Sequence, residues 1–228
     1  MLSAKGTLSA WFKGTGRHIR ADEDYSTAKE WSEEPSAHAI VTHESCKRFQ
    51  KELSIVESLS MLDLRCFRGR TSPFIDGYPP TSHQMGPPKP EHTDENGRYN
   101  LKGFPALYLC DSITGVKFEL EYRKQPIWIQ NYFLKSTSLR IADLRKDNPK
   151  VSPFINCVFW FAESANKNSL PSLIFSQTIA QIVGEFFEAM IVPGVKGDDE
   201  QKYNNIVIFH PSSKWEEWLE EDPYEIGL

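Results

Sequence analysis

The sequence predicts an α+β fold, and three observations carry that expectation. Short apolar runs of strand length are mixed with only a few segments of helical periodicity, and nothing alternates as βαβ units. Hydrophobic residues make up 39% and aromatics 12% of the chain, enough for a sizeable core and against wholesale disorder. A length of 228 residues suits one large domain, or one domain with extensions.

Taken in order, residues 1–43 read as a polar N-terminal arm that is either mobile or docked through Trp11, Phe12 and Trp31. From Glu44 to Leu59, the spacing of Phe49, Leu53, Val56 and Leu59 predicts an amphipathic helix starting near Thr42 or His43. Leu62–Arg70 reads as a short strand carrying arginines. Residues 71–105 form a long loop holding seven of the 15 prolines, and such a loop inside a domain is usually functional. Leu107–Cys110 reads as a buried strand, and Asp111–Thr114 caps a short helix over Gly115–Tyr122.

Ile127–Leu134 and Ser138–Leu144 read as strands. Residues 145–170 read as a variable connection with an apolar patch at Cys157–Phe161. Ser172–Met190 is the second helix, with Ile179, Ile182, Val183, Phe186 and Phe187 as its stripe. Ile206–Phe209 closes the pattern as a strand, and residues 211–228 form an acidic C-terminal tail with Trp215 and Trp218. The main domain therefore spans 44–210.

The charge balance of −5 argues against a broad basic face for nucleic acid, although it leaves room for a local basic pocket. No run approaches about 18 apolar residues, so neither a membrane span nor any membrane association is expected. The first residues lack the apolar stretch of a signal peptide. Cys46, Cys66, Cys110 and Cys157 share no CxxC spacing and read as thiols in a reducing, cytoplasmic setting. The six histidines form no HxH or HxxxH pair, so no metal site is expected.

Common nucleotide and hydrolase signatures (GxGxxG, the Walker loop, GxSxG, HExxH) are missing. What stands out is an ordered set of segments. They are Phe67-Arg68-Gly69-Arg70, Met85-Gly86-Pro87-Pro88, Gly97-Arg98-Tyr99-Asn100, Gly103 to Leu109, and Asp111-Ser112 leading to Glu119. Leu139 to Leu144, Ser176-Gln177 and Asn205 to Phe209 complete the set. Over roughly residues 62–210 this order resembles the RES-domain family.

The resemblance implies an ADP-ribosyltransferase-like fold of mixed sheets with a few packed helices. It also implies an enzyme that uses NAD+ as substrate without a metal and splits its nicotinamide–ribose bond. The acceptor is water, phosphate or a protein side chain. Family members are often the toxin of a toxin–antitoxin pair, so a protein antitoxin or a protein acceptor is the expected partner.

Carried over residue by residue, the resemblance places the family's arginines on Arg68 and Arg98, its tyrosine on Tyr108 and its glutamate on Glu119. Where the family has serine, this chain has Gly194; Ser176 and Ser212 do not match that position. The expected catalytic residues are Glu119 and Arg68, and Arg68, Arg98, Tyr108, Tyr99 and Gly194 are expected to bind NAD+.

The chemistry fits these residue types. Arginine forks make charge-assisted bonds to pyrophosphate oxygens. A carboxylate beside the ribose stabilises the cation that develops as the glycosidic bond breaks. The Tyr108 ring suits stacking on a base, with its hydroxyl on a ribose or carboxamide. Arg70 and Asn100 are lesser candidates, and Glu121 competes with Glu119. The Gly194 amide N–H is expected to replace the missing hydroxyl; the alternative is a decayed site. Two rival readings remain: a non-catalytic NAD+-, ADP-ribose- or protein-binding module, and an interaction protein acting through its terminal tryptophans.

Overall fold

Strand runs whose side chains are buried on both faces sit at the centre of one mixed sheet in a computed structural model. It describes residues 21–59, 63–71, 79–93, 97–120, 126–135, 139–165, 171–194, 196, 202–209, 211 and 215–226. The strands are β1 (Ser58–Leu59), β2 (Leu64–Thr71), β3 (Ala106–Cys110), β4 (Ile127–Leu134), β5 (Ile141–Asp143), β6 (Ala189–Pro193), β7 (Asn204–Phe209) and β8 (Tyr224–Ile226). Their order is β1-β5-β6-β7-β3-β2-β4-β8, and only the β5–β6 pair is parallel. The α+β expectation holds.

Six α-helices are described: α1 (Ala21–Ser32), α2 (Ala37–Thr42), α3 (Glu44–Leu53), α4 (Ile113–Glu119), α5 (Pro153–Ser164) and α6 (Leu173–Phe186). Side chains from all but α4 form a core on one sheet face with Ala106, Met190, Val192 and Val207. The other face buries Leu107, Leu109, Ile191, Ile206 and Ile208 with Trp215 and Trp218. Apolar cover on both faces explains the uninterrupted Ile206-Val207-Ile208 run. Trp31 docks the 21–43 stretch: it is fully buried, with the Phe49, Phe154 and Phe175 rings 5.4–6.3 Å away. Its indole N–H donates to the Ile40 carbonyl at 2.9 Å.

Several boundaries differ from the sequence expectation. The 44–59 helix stops at Leu53, and Leu59 instead pairs with Ile141 on β5. The His43 ring Nδ1 caps its start by accepting from the Ser45 N–H at 3.1 Å. The 145–170 connection contains helix α5, capped by Ser152 and opened by Pro153. Nine of its twelve residues are buried, so no polar face marked it as a helix. The 172–190 helix ends at Phe186, and Ala189–Pro193 becomes β6 because strands on both sides satisfy its backbone. The 138–144 strand is shorter, covering 141–143.

One junction sets up the site. β2 pairs with β4 over eight residue pairs but with β3 only at Phe67–Cys110. Past that pair no further rungs form, leaving a gap in the ladder between Arg68–Thr71 and Ala106–Leu109. Helix α4 closes on β2 at Gly69, where a Cβ would lie 2.1 Å from Val116.

Trp31→Ala removes the largest fully buried side chain of the helical layer. It should destabilise the fold by about 3–5 kcal/mol in a denaturant titration.

Candidate functional site

Arg68 lies in the middle of β2, opposite Gln130 on β4. Its Nη1 is shut off from solvent and has no hydrogen-bond partner among the described residues. Burial, and then the neighbouring Arg70 charge, pull its pKa down to about 10, so the guanidinium stays charged near neutrality. Arg70 is occupied: its Nη2 donates to the Gly86 carbonyl at 3.3 Å. The Tyr132 hydroxyl donates to the Met85 carbonyl at 3.0 Å, so β2 and β4 together hold the Met85-Gly86 turn. Gly86 is needed there, since a Cβ would lie 2.5 Å from the Trp215 ring.

Across the gap, Tyr108 on β3 organises the Gly97–Asn100 turn. Its hydroxyl donates to Asn100 Oδ1 at 2.7 Å and accepts from the Tyr99 N–H at 3.0 Å. Gln177 on α6 donates to the Gly97 carbonyl at 2.9 Å. The Tyr108 hydroxyl thus gives its proton to the turn.

The turn delivers Arg98 beside three buried groups. Its positive charge acts on Tyr99, Tyr108 and Glu163, lowering the pKa of each against the larger upward push of burial. The Tyr99 hydroxyl and Glu163 Oε1 are both buried without a partner among the described residues. Three of the six such side-chain atoms among the described residues, counting Arg68 Nη1, thus belong to residues of this one neighbourhood. Buried polar atoms are nearly always paired, so this concentration marks the neighbourhood as suited to a polar ligand. Burial, and more weakly the Glu119 charge, hold the Glu163 pKa well above the ordinary carboxylate range.

Glu119 ends helix α4, which Ser112 starts by accepting from the Gly115 N–H at 3.0 Å. Two donors meet its Oε1: the Tyr203 hydroxyl at 2.8 Å and Asn205 Nδ2 at 2.6 Å. Its charge raises the pKa of Tyr99, Cys110, Glu163 and Tyr203, so it lies within reach of the same cluster. Asn205 is itself oriented by the Cys110 thiol, 3.0 Å from its Oδ1.

Gly194 departs from its expected role. Its N–H donates to the Tyr203 carbonyl at 2.8 Å, continuing the β6–β7 ladder, and is not offered to a ligand. What the glycine provides is room, because a Cβ would sit 2.0–2.5 Å from the Tyr203 ring. Ser176 is buried in α6 and donates to the Leu173 carbonyl. Glu121 and Ser212 lie outside the described residues.

The gap thus brings Arg68, Arg98, Tyr99, Tyr108 and Glu119 into one neighbourhood. The sequence reading missed three participants. Glu163 had a signal, as an acid ending the apolar run of α5. Asn205 begins the apolar run to Phe209, where a lone amide is a weak signal. Tyr203 carried no signal, since only the fold brings it to Glu119. Tyr99 and Asn100 also border a cavity of about 240 Å³ with aromatic walls at Phe104 and Phe209 and a small-residue lining of Ala106, Ala180 and Gly184.

No family model and no curated protein matches the chain. Among solved structures it is similar to a chain in the crystal structure of the M. tuberculosis MbcT–MbcA toxin–antitoxin complex. The TM-score is 0.51 at 14% identity, covering 78% of this chain and 92% of that one. The likeness is one of fold.

Burying an acid imposes a penalty on the folded state that is absent below its unfolded pKa and grows as pH rises toward the raised folded value. Glu163→Gln removes the group that carries it. Its Tm should exceed wild type by a few degrees at pH 7.5, with the difference closing toward pH 4 in a thermal melt series.

Proposed function

We propose that this protein cleaves the nicotinamide–ribose bond of NAD+ as a RES-type enzyme and acts as the toxin of a toxin–antitoxin pair. The carrying observation is the charged Arg68 guanidinium at the open junction, its buried Nη1 lacking any described partner. A guanidinium in that state suits a pyrophosphate oxygen, which supplies both the missing acceptor and the opposing charge. Arg98, on the turn that Tyr108 holds, gives the second positive charge. The order of motifs along the chain and the fold shared with a chain of a toxin–antitoxin complex support the reading.

The chemistry asks little of the protein beyond placement. In NAD+ the nicotinamide nitrogen already bears the positive charge, so it leaves as neutral nicotinamide when the C1′–N bond breaks and takes the electron pair. The cation left on the ribose needs a nearby negative charge. Glu119 supplies it through Oε2, since Oε1 is occupied by Tyr203 and Asn205. Water, phosphate or a protein side chain then bonds to C1′, releasing a proton if the nucleophile carries one. The aromatic-walled cavity beside Tyr99 has room for one base ring.

Purified protein given NAD+ should release nicotinamide, and mass analysis with and without phosphate identifies the acceptor. Binding without release would make the chain a non-catalytic NAD+- or ADP-ribose-binding module. Glu119→Gln keeps the shape and removes the charge, and turnover should fall by about 10²–10³. Arg68→Met keeps bulk and removes the fork. NAD+ binding should weaken by roughly 1.5–3 kcal/mol in a titration, with Tm unchanged or higher because a buried charge is gone.

A further inference from the structure

We infer that Tyr203 is a positioning residue for Glu119, fixing one carboxylate oxygen so that the other faces the gap, and that Gly115 and Gly194 are required for it to sit there. The role rests on the assignment of Glu119 to the reaction, but the contact itself stands on geometry alone.

The Tyr203 hydroxyl has a defined direction. It accepts from the Lys196 backbone N–H at 3.1 Å, which leaves its own proton for Glu119 Oε1 at 2.8 Å. Burial first, and then the Glu119 charge, keep it a phenol and hence a donor. Two glycine backbones lie against the ring. A Cβ at Gly115 would lie 2.5 Å from it, and a Cβ at Gly194 would lie 2.0 Å from it. Phe118 stacks on it at 6.0 Å with an interplanar angle of 15°. The two backbones leave the ring space that side chains at Gly115 and Gly194 would fill. Packed there, the ring holds its hydroxyl on the carboxylate, and Asn205 fixes the same oxygen from β7.

This arrangement gives Gly194 a reason to be glycine that does not involve decay of the site. Any side chain there drives the ring out and leaves Glu119 held by Asn205 alone. The titratable and charged groups around Glu119 are Tyr203 and Lys196 from the β6–β7 segment, Tyr99 and Cys110 from β3 and the turn before it, Glu163 of α5, and Lys117 on its own helix.

The test compares wild type, Tyr203→Phe, Gly194→Ala and the double variant in the full chain, with Tm confirming folding. In NAD+ cleavage, Tyr203→Phe should lower kcat about tenfold and change KM for NAD+ by less than about twofold. Adding Tyr203→Phe to Gly194→Ala should cost nothing more, because the alanine has already displaced the hydroxyl. The carbon-13 resonance of the Glu119 carboxyl at fixed neutral pH, assigned by its loss in Glu119→Gln, gives a readout free of activity. It should shift in Tyr203→Phe, since removing the O–H donor from Oε1 changes the shielding of the carboxyl carbon. An unmoved resonance overturns the contact whatever the activity. A moved resonance with unchanged kcat in active protein overturns the positioning role. If wild type releases no nicotinamide, the NAD+ reading falls, and the resonance alone decides whether Tyr203 holds Glu119.

Discussion

The two halves of the sheet meet through a single residue pair, Phe67 with Cys110, and the site depends on that economy. A full β2–β3 ladder would have zipped Arg68 against Leu109. Because no further rungs form, the polar groups that line the gap replace the ladder. Arg68 stands on one side and the Tyr108-held turn with Arg98 on the other. Each half keeps its own stability: β4 backs β2 along eight pairs, and β7 backs β3 along five. The opening is thus a feature of a well-supported sheet rather than a frayed edge.

Two kinds of polar group line this region, and they differ in how they are satisfied. Glu119, Tyr108, Asn205 and Tyr203 form closed local networks that fix direction. Arg68 Nη1, Tyr99 Oη and Glu163 Oε1 lack described partners in a low-dielectric setting. Pre-oriented groups beside unsatisfied ones are what a ligand site needs, since the first costs no reorganisation and the second is relieved on binding. The glycines belong to the first kind. Gly69, Gly86, Gly115 and Gly194 each let a side chain come closer than a Cβ would allow.

The site also explains why the helical layer is so apolar. Helix α5 is buried on almost every side, and its one acid in the last turn, Glu163, lies near Arg98. Helix α6 contributes Gln177 to the turn and Ala180 and Gly184 to the neighbouring cavity. Trp31, far along the chain, holds this layer together from the N-terminal side.

Periodicity and turn chemistry were enough to read the strands β2, β3, β4 and β7, the capped helix α4 and the start of α3. In each, local spacing and local hydrogen bonding agree with the final fold. The motif order along the chain carried the family resemblance, and the resemblance pointed to Arg68, Arg98, Tyr108, Tyr99 and Glu119 as candidates. Local rules failed where burial is complete. Helix α5 showed no polar face, and the end of α6 was set by strand neighbours on both sides of β6. The sequence could not reveal that the Gly194 amide belongs to the sheet, that the Tyr108 hydroxyl belongs to a turn, or that Tyr203 meets Glu119 across 84 residues. Those assignments depend on which backbones lie within hydrogen-bond distance, and only the tertiary structure brings such distant segments together.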